Sequence, residues 1–167
     1  MKSVIQMFWR ICLLRQSPAY VPTQGWFVAA VVVANLVTSV IVSLPLEPSI
    51  PLLEILTRTV VVQAVYAALV WTACILREHP GRFAGTITAL FGCDLLITAL
   101  FGLLLPLLTR VNEPTQIVLW AGYFVWSLAV AGFILSKGLT MRFPLAALAA
   151  LGMTLLATAV AQIAVGG

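Results

Sequence analysis

Asp94 stands inside an apolar run from Ala84 to Leu108 that holds no second charged residue. A charged aspartate in the middle of a bilayer costs about 2.5–3.5 kcal/mol on insertion scales. It must therefore face protein or water, or hold a proton, because low dielectric disfavours the carboxylate. The chemistry open to it is binding of a proton, a cation, or a cationic group on a substrate or partner subunit. Counted from the same membrane edge, Asp94 lies ten residues into its span, with Asn35 at nine, Tyr66 at ten, Ser127 at eight and Thr154 at eleven. At a rise of about 1.5 Å per residue these positions share a depth of roughly 12–17 Å, near the midplane. Thr98, one turn beyond Asp94, is in reach of its carboxylate. One polar residue per helix at a common depth predicts a buried hydrogen-bonded layer. Its expected use is structural or subunit-pairing, because a transport path needs more than one polar contact per helix.

Other chemistries lack their residues. Cys12, Cys74 and Cys93 are far apart in sequence, with neither a CxxC pair nor companion ligands, and read as small apolar residues. His79 is the only histidine and lies in a polar turn, so bis-histidine haem, a histidine metal cluster and a His-based triad lack partners. No glycine-rich phosphate loop is present. No catalytic, cofactor-binding or metal-binding residue is expected, and an intramembrane enzyme would need a reactive partner beside Asp94.

The elements that position Asp94 follow from composition. Of 167 residues, 14 are charged and 62% are hydrophobic. A soluble domain is about 25% charged, so a soluble enzyme, a disordered regulator and a fibrous protein are excluded. The net charge of +4 is spread along the chain, which speaks for topology signals rather than a nucleic-acid surface. Five stretches reach the roughly 20 apolar residues that a span requires: Trp26 to about Pro45, Thr59–Leu76, Ala84–Leu108, Gln116–Leu135, and Phe143 to about Val165. The expected fold is an all-α, polytopic transmembrane bundle of five spans over residues 23–167, preceded by an interfacial helix and proline turn over residues 1–22. Lys2, Arg10, Arg15, Arg77, Arg82, Lys137 and Arg142 fall on one side of these spans, and Arg58 and Arg110 on the other. The positive-inside rule then predicts a cytoplasmic N-terminus and an exterior C-terminus. The first span reads as a retained anchor, since no small-x-small cleavage site follows it.

Around a helical wheel, Lys2, Ser3, Gln6, Arg10 and Ser17 form a narrow polar stripe on an otherwise apolar cylinder that includes Trp9. Such a helix is expected along the cytoplasmic leaflet, with Lys2, Trp9, Arg10 and Arg15 at the lipid headgroups. Pro18 and Pro22 break it. Farther on, Ser49 is the expected cap of an outward extension of the second span, on which Glu54 and Arg58 pair. Gly138 is the expected left-handed residue ending the fourth span, and Thr140 the cap of the fifth. Gly85, Ala89 and Cys93 form a small-residue ridge, as do Ala150, Thr154 and Thr158, and both predict close helix packing. Gln63 and Gln162 are candidates to pair across the second and fifth spans. Trp126 lies deep enough to meet another helix.

The run from Leu13 to Pro22, LLRQSPAYVP, resembles the LLR-x-x-P-x-x-L-P element that precedes the first span of small bacterial inner-membrane proteins. These are grouped with the Yip1-like superfamily, whose five spans and cytoplasmic N-terminus agree with the topology above. Tyr20 and Val21 replace the acidic residue often found before the second proline, and the eukaryotic DLYGP signature is absent, so a vesicle-trafficking role does not transfer. The resemblance implies an inner-membrane location, with the C-terminus periplasmic. The expected function is a non-catalytic accessory or assembly subunit partnered by lipid and by other membrane subunits or a second copy. The alternative is a small proton- or cation-coupled transporter or channel using Asp94. A reporter fused after residue 167 should be active only outside the cytoplasm; cytoplasmic activity would refute the five-span orientation.

Overall fold

The computed structural model describes residues 4–108 and 110–165, so Lys2 lies outside the described residues. Six α-helices occur in this order: α1 (Val4–Cys12), α2 (Gly25–Ser43), α3 (Leu52–Leu76), α4 (Phe83–Leu108), α5 (Glu113–Gly138) and α6 (Phe143–Val165). The five from α2 onward are long and apolar enough to cross a membrane, making the fold a polytopic transmembrane helical bundle. Each span satisfies its backbone internally, which is what lipid demands. Outward-facing Val33, Val37 and Ile41 on α2, and Leu148, Leu155 and Ile163 on α6, are exposed apolar residues suited to lipid.

The five long helices form a ring in which α2 packs on α4, α4 on α5, α5 on α6, α6 on α3, and α3 back on α2. The end at which α2, α4 and α6 begin is here the proximal face, and the opposite end the distal face. In the proximal half the interior is solid, with Val70, Cys74, Ile87, Leu90, Ile134, Leu135 and Ala146 all buried in one apolar cluster. α4 is the central element, and every residue from Thr86 to Cys93 is buried. Its hydroxyls do not disturb this packing, because Thr86 and Thr88 donate back to Arg82 O and Ala84 O within the helix.

α1 is held against α4 and α5, where the sequence pattern predicts a helix laid on lipid. Phe8, Ile11 and Cys12 are buried, so protein occupies much of the expected lipid-facing surface. The docking has two local causes. Gly92 leaves a slot for the Phe8 ring, since a Cβ there would lie 2.2 Å from it. Trp126 Nε1 donates to Cys12 O at 3.1 Å, meeting one of the carbonyls that a helix end leaves unpaired. Cys12 and Cys93 exchange weak contacts around this crossing, each thiol pointing at a carbonyl 3.8 Å away on the other helix. Trp9, Arg10 and Arg15 stay exposed on the outer side.

The proximal helix ends differ from expectation in their residue types. Leu14, Glu78 and Thr140 take positive φ of 60°, 59° and 51°. In each case the following N–H reaches back five residues, from Arg15 to Arg10 O, from His79 to Cys74 O and from Met141 to Ser136 O. These are Schellman ends without glycine, accepted despite the steric penalty of a left-handed side chain. Thr140 therefore holds the left-handed position expected of Gly138 and is not a cap for α6. Gly138 stays helical because it is needed for contact: a Cβ there would fall 2.5 Å from Thr86 Oγ1. Pro51, with extended ψ, occupies the capping position expected of Ser49. Gly92→Val should lower stability by about 1–3 kcal/mol, the usual cost of overpacking. Phe8→Ala in the same chain should recover most of that loss in detergent melting curves, whereas additive losses would contradict the slot.

Candidate functional site

The distal half of the ring encloses a cavity of about 620 Å³. Its walls are built by helical periodicity. On α2, Asn35, Ser39 and Ser43 recur every four residues and so share one face, and Glu47 lies one step beyond in the following turn. Thr154, Thr158 and Gln162 repeat the pattern on α6, and Thr59, Gln63 and Tyr66 face them from α3. The α4–α5 wall is more apolar, with Phe91, Ile97, Phe124 and Leu128 beside Asp94, Tyr123 and Ser127. From Asn35 to Ser43 the polar stripe rises about 12 Å at 1.5 Å per residue.

Asp94 and Asn35 meet at the deep end. Asn35 Nδ2 donates to Asp94 Oδ2 at 3.1 Å, tying α2 to α4. Asn35 is 1% exposed, and its Oδ1 has no hydrogen-bond partner. Leaving a buried acceptor unpaired costs about 1–3 kcal/mol. Gln63 Nε2 is a second buried group without a partner, so the expected Gln63–Gln162 pair does not satisfy it, although both residues line the cavity. At the distal end Arg58 pairs with Glu47 rather than with the expected Glu54. Their side chains are 31% and 33% exposed, so the pair marks where the cavity reaches the surface. Such a pair contributes about 0–1 kcal/mol.

The hydroxyls give the walls a polarity of their own. Thr59, Ser127, Thr154 and Thr158 each donate to a carbonyl of their own helix. With the hydrogen committed, the oxygen lone pairs are what remain for anything inside the cavity. Among the described lining residues, Arg58 is the one cation, and Glu47 engages it. The deep end thus holds the Asp94 carboxyl group among the hydroxyls of Tyr66, Tyr123, Ser127 and Thr154.

Of the residues expected to form a midplane layer, Asp94, Asn35, Tyr66, Ser127 and Thr154 all line this cavity. Thr98 does not: its hydroxyl lies 3.4 Å from Tyr123 OH, so it supports a cavity residue instead of bonding to Asp94. The arrangement is a column from midplane to surface rather than a layer. Ser39, Ser43, Gln63, Thr158 and Gln162 complete it. Their signal was present as four-residue spacing on single helices, which a comparison of one residue per helix does not register. Among the described residues no group of three or more His, Cys, Asp or Glu could hold a metal ion. No family model, no curated protein and no solved structure matches the chain.

A cavity of this kind admits water where lipid-facing positions do not. Ser39→Cys and Thr158→Cys should react with a charged, membrane-impermeant thiol reagent, against a background in which Cys12, Cys74 and Cys93 are buried. Val33→Cys, on the exposed outer face of α2, should stay unlabelled in membranes. Equal labelling at Ser39 and Val33 would show that the column is dry.

Proposed function

We propose that this protein is a non-catalytic, multi-pass membrane protein that admits a proton or cation to Asp94, as the coupling site of a small transporter or channel. The observation that carries the reading is the polar cavity joining Asp94 to the distal surface. It supplies the several polar contacts per helix that a path requires, and among the described lining residues no cationic side chain lies beside the carboxylate. An intramembrane carboxylate in a water-accessible cavity is a functional site by default. With the N-terminus cytoplasmic, as the Lys and Arg distribution favours, the cavity faces the exterior, which is the periplasm if the membrane is the bacterial inner membrane. The solid proximal half then closes the path on the cytoplasmic side, and transport requires rearrangement of that half.

One observation favours the reading as an accessory or assembly subunit. Trp9, Arg10, Leu13, Arg15 and Tyr20 together border an exposed groove beside the docked α1. Such a mixture of basic and aromatic residues suits lipid headgroups and the surface of another membrane subunit.

Purified protein in liposomes carrying a pH-sensitive dye separates the two. With an imposed potential, the wild type should acidify or alkalise the lumen, and Asp94→Asn should slow this by at least about tenfold, equivalent to 1.36 kcal/mol in the barrier. Flux that is absent from the wild type, together with a stoichiometric co-purifying membrane protein, would favour the accessory subunit.

A further inference from the structure

The deep end of the cavity places a carboxyl group next to a buried acceptor that has no partner, and this pair bears on what binds there. Asp94 supplies a carboxyl group, Asn35 Oδ1 is buried without a partner, and the hydroxyl hydrogens of Ser127 and Thr154 are committed to their own helices, while Gln63 Nε2, about one turn nearer the distal end, is a buried donor without a partner. Oriented so that its amide nitrogen donates to Asp94, Asn35 necessarily offers its oxygen elsewhere. A carboxylate and an unpartnered amide oxygen on two bonded residues match a cation that brings several N–H donors.

Size and chemistry restrict the cation further. A proton or a bare alkali ion would leave most of the roughly 620 Å³ to water, whereas pockets of about 300–1,000 Å³ are typical of small organic ligands. A protein cage for a dehydrated divalent ion such as Ca²⁺ takes about six to eight oxygens with carboxylates prominent among them, and the described residues hold no group of three or more His, Cys, Asp or Glu that could form one. A quaternary ammonium could offset the charge but has no hydrogen to give Asn35 Oδ1. The neighbouring wall of Phe91, Ile97 and Phe124 is apolar, which suits a carbon skeleton attached to a polar head.

We infer that the cavity binds a small organic primary ammonium ion, its N–H groups on Asp94 and Asn35 Oδ1 and its hydrocarbon part on the α4–α5 wall. The inference rests on the cation-binding reading of Asp94 above and specifies its ligand.

Butylammonium and tetramethylammonium have the same atomic composition and charge but differ in N–H donors, so they make a matched pair of probes. In calorimetry on the full chain in lipid nanodiscs, with empty nanodiscs as blank, butylammonium should bind once per chain. Tetramethylammonium should bind at least about tenfold more weakly. Asp94→Asn should weaken butylammonium by at least about tenfold, and Asn35→Leu by several-fold, in variants that elute like the wild type. If neither variant folds, the two probes on the wild type decide alone. Equal binding of the two ions, no saturable butylammonium binding, or binding unchanged in folded Asp94→Asn would overturn the inference. Proton flux without butylammonium binding would refute the ligand and leave the cation-coupled reading standing. Binding that depends on Asp94 with no flux of any cation would support the ligand and refute the transporter.

Discussion

The hydrogen bond from Asn35 to Asp94 expresses the constraint on which the rest of the bundle depends: a carboxylate placed deep in a membrane span must meet protein or water. Its partner comes from α2, which runs in the same direction as α4. Two parallel helices cannot be joined by a short turn, so α3 must cross back elsewhere. It does so on the other side of α2 from α4, and α6 closes the ring between α3 and α5. The order of helices around the ring is thereby tied to the satisfaction of one side chain. The bond itself is worth little, since interhelical hydrogen bonds in lipid average about 0.6 kcal/mol. Its importance lies in the cost of the alternatives.

The two halves of the bundle solve different problems. Proximally, small residues let backbones approach, as where a Cβ on Gly132 would fall 2.8 Å from Ala147 Cα. With no hydrophobic drive separating helix from lipid, such packing is the main source of cohesion there. α1 adds to it by placing Phe8 in the Gly92 slot. Distally, the inward faces of α2, α3 and α6 are polar, and polar faces in a membrane cannot be left to lipid. They meet around a cavity, where Thr59, Thr154 and Thr158 donate within their own helices while Asn35 Oδ1 and Gln63 Nε2 have no partner.

This asymmetry links packing to function. A solid half and a hollow half on either side of Asp94 form a cup with a carboxyl group at its floor. The Glu47–Arg58 pair sits at the rim, and Arg58 is the one cation among the described lining residues.

Much of this was legible in residue order. The five spans and the isolation of Asp94 within them depend on local length and apolarity. These are decisive because lipid requires each span to satisfy its own backbone. Even the cavity had a local trace, in the four-residue repeats Asn35, Ser39, Ser43 and Thr154, Thr158, Gln162. What only the tertiary structure decided is which faces meet. Arg58 pairs with Glu47 because the turn after α2 delivers it, while Glu54 is nearer in sequence. Thr98 finds Tyr123 on α5 rather than Asp94 on its own helix. Gly138 is kept for Thr86, so Thr140 takes the left-handed turn. The α1 helix, amphipathic enough for a membrane surface, spends that face on Gly92 and Trp126. Each outcome depends on a neighbour distant in sequence, and hydrophobic periodicity records that a face is apolar or polar without recording what will cover it.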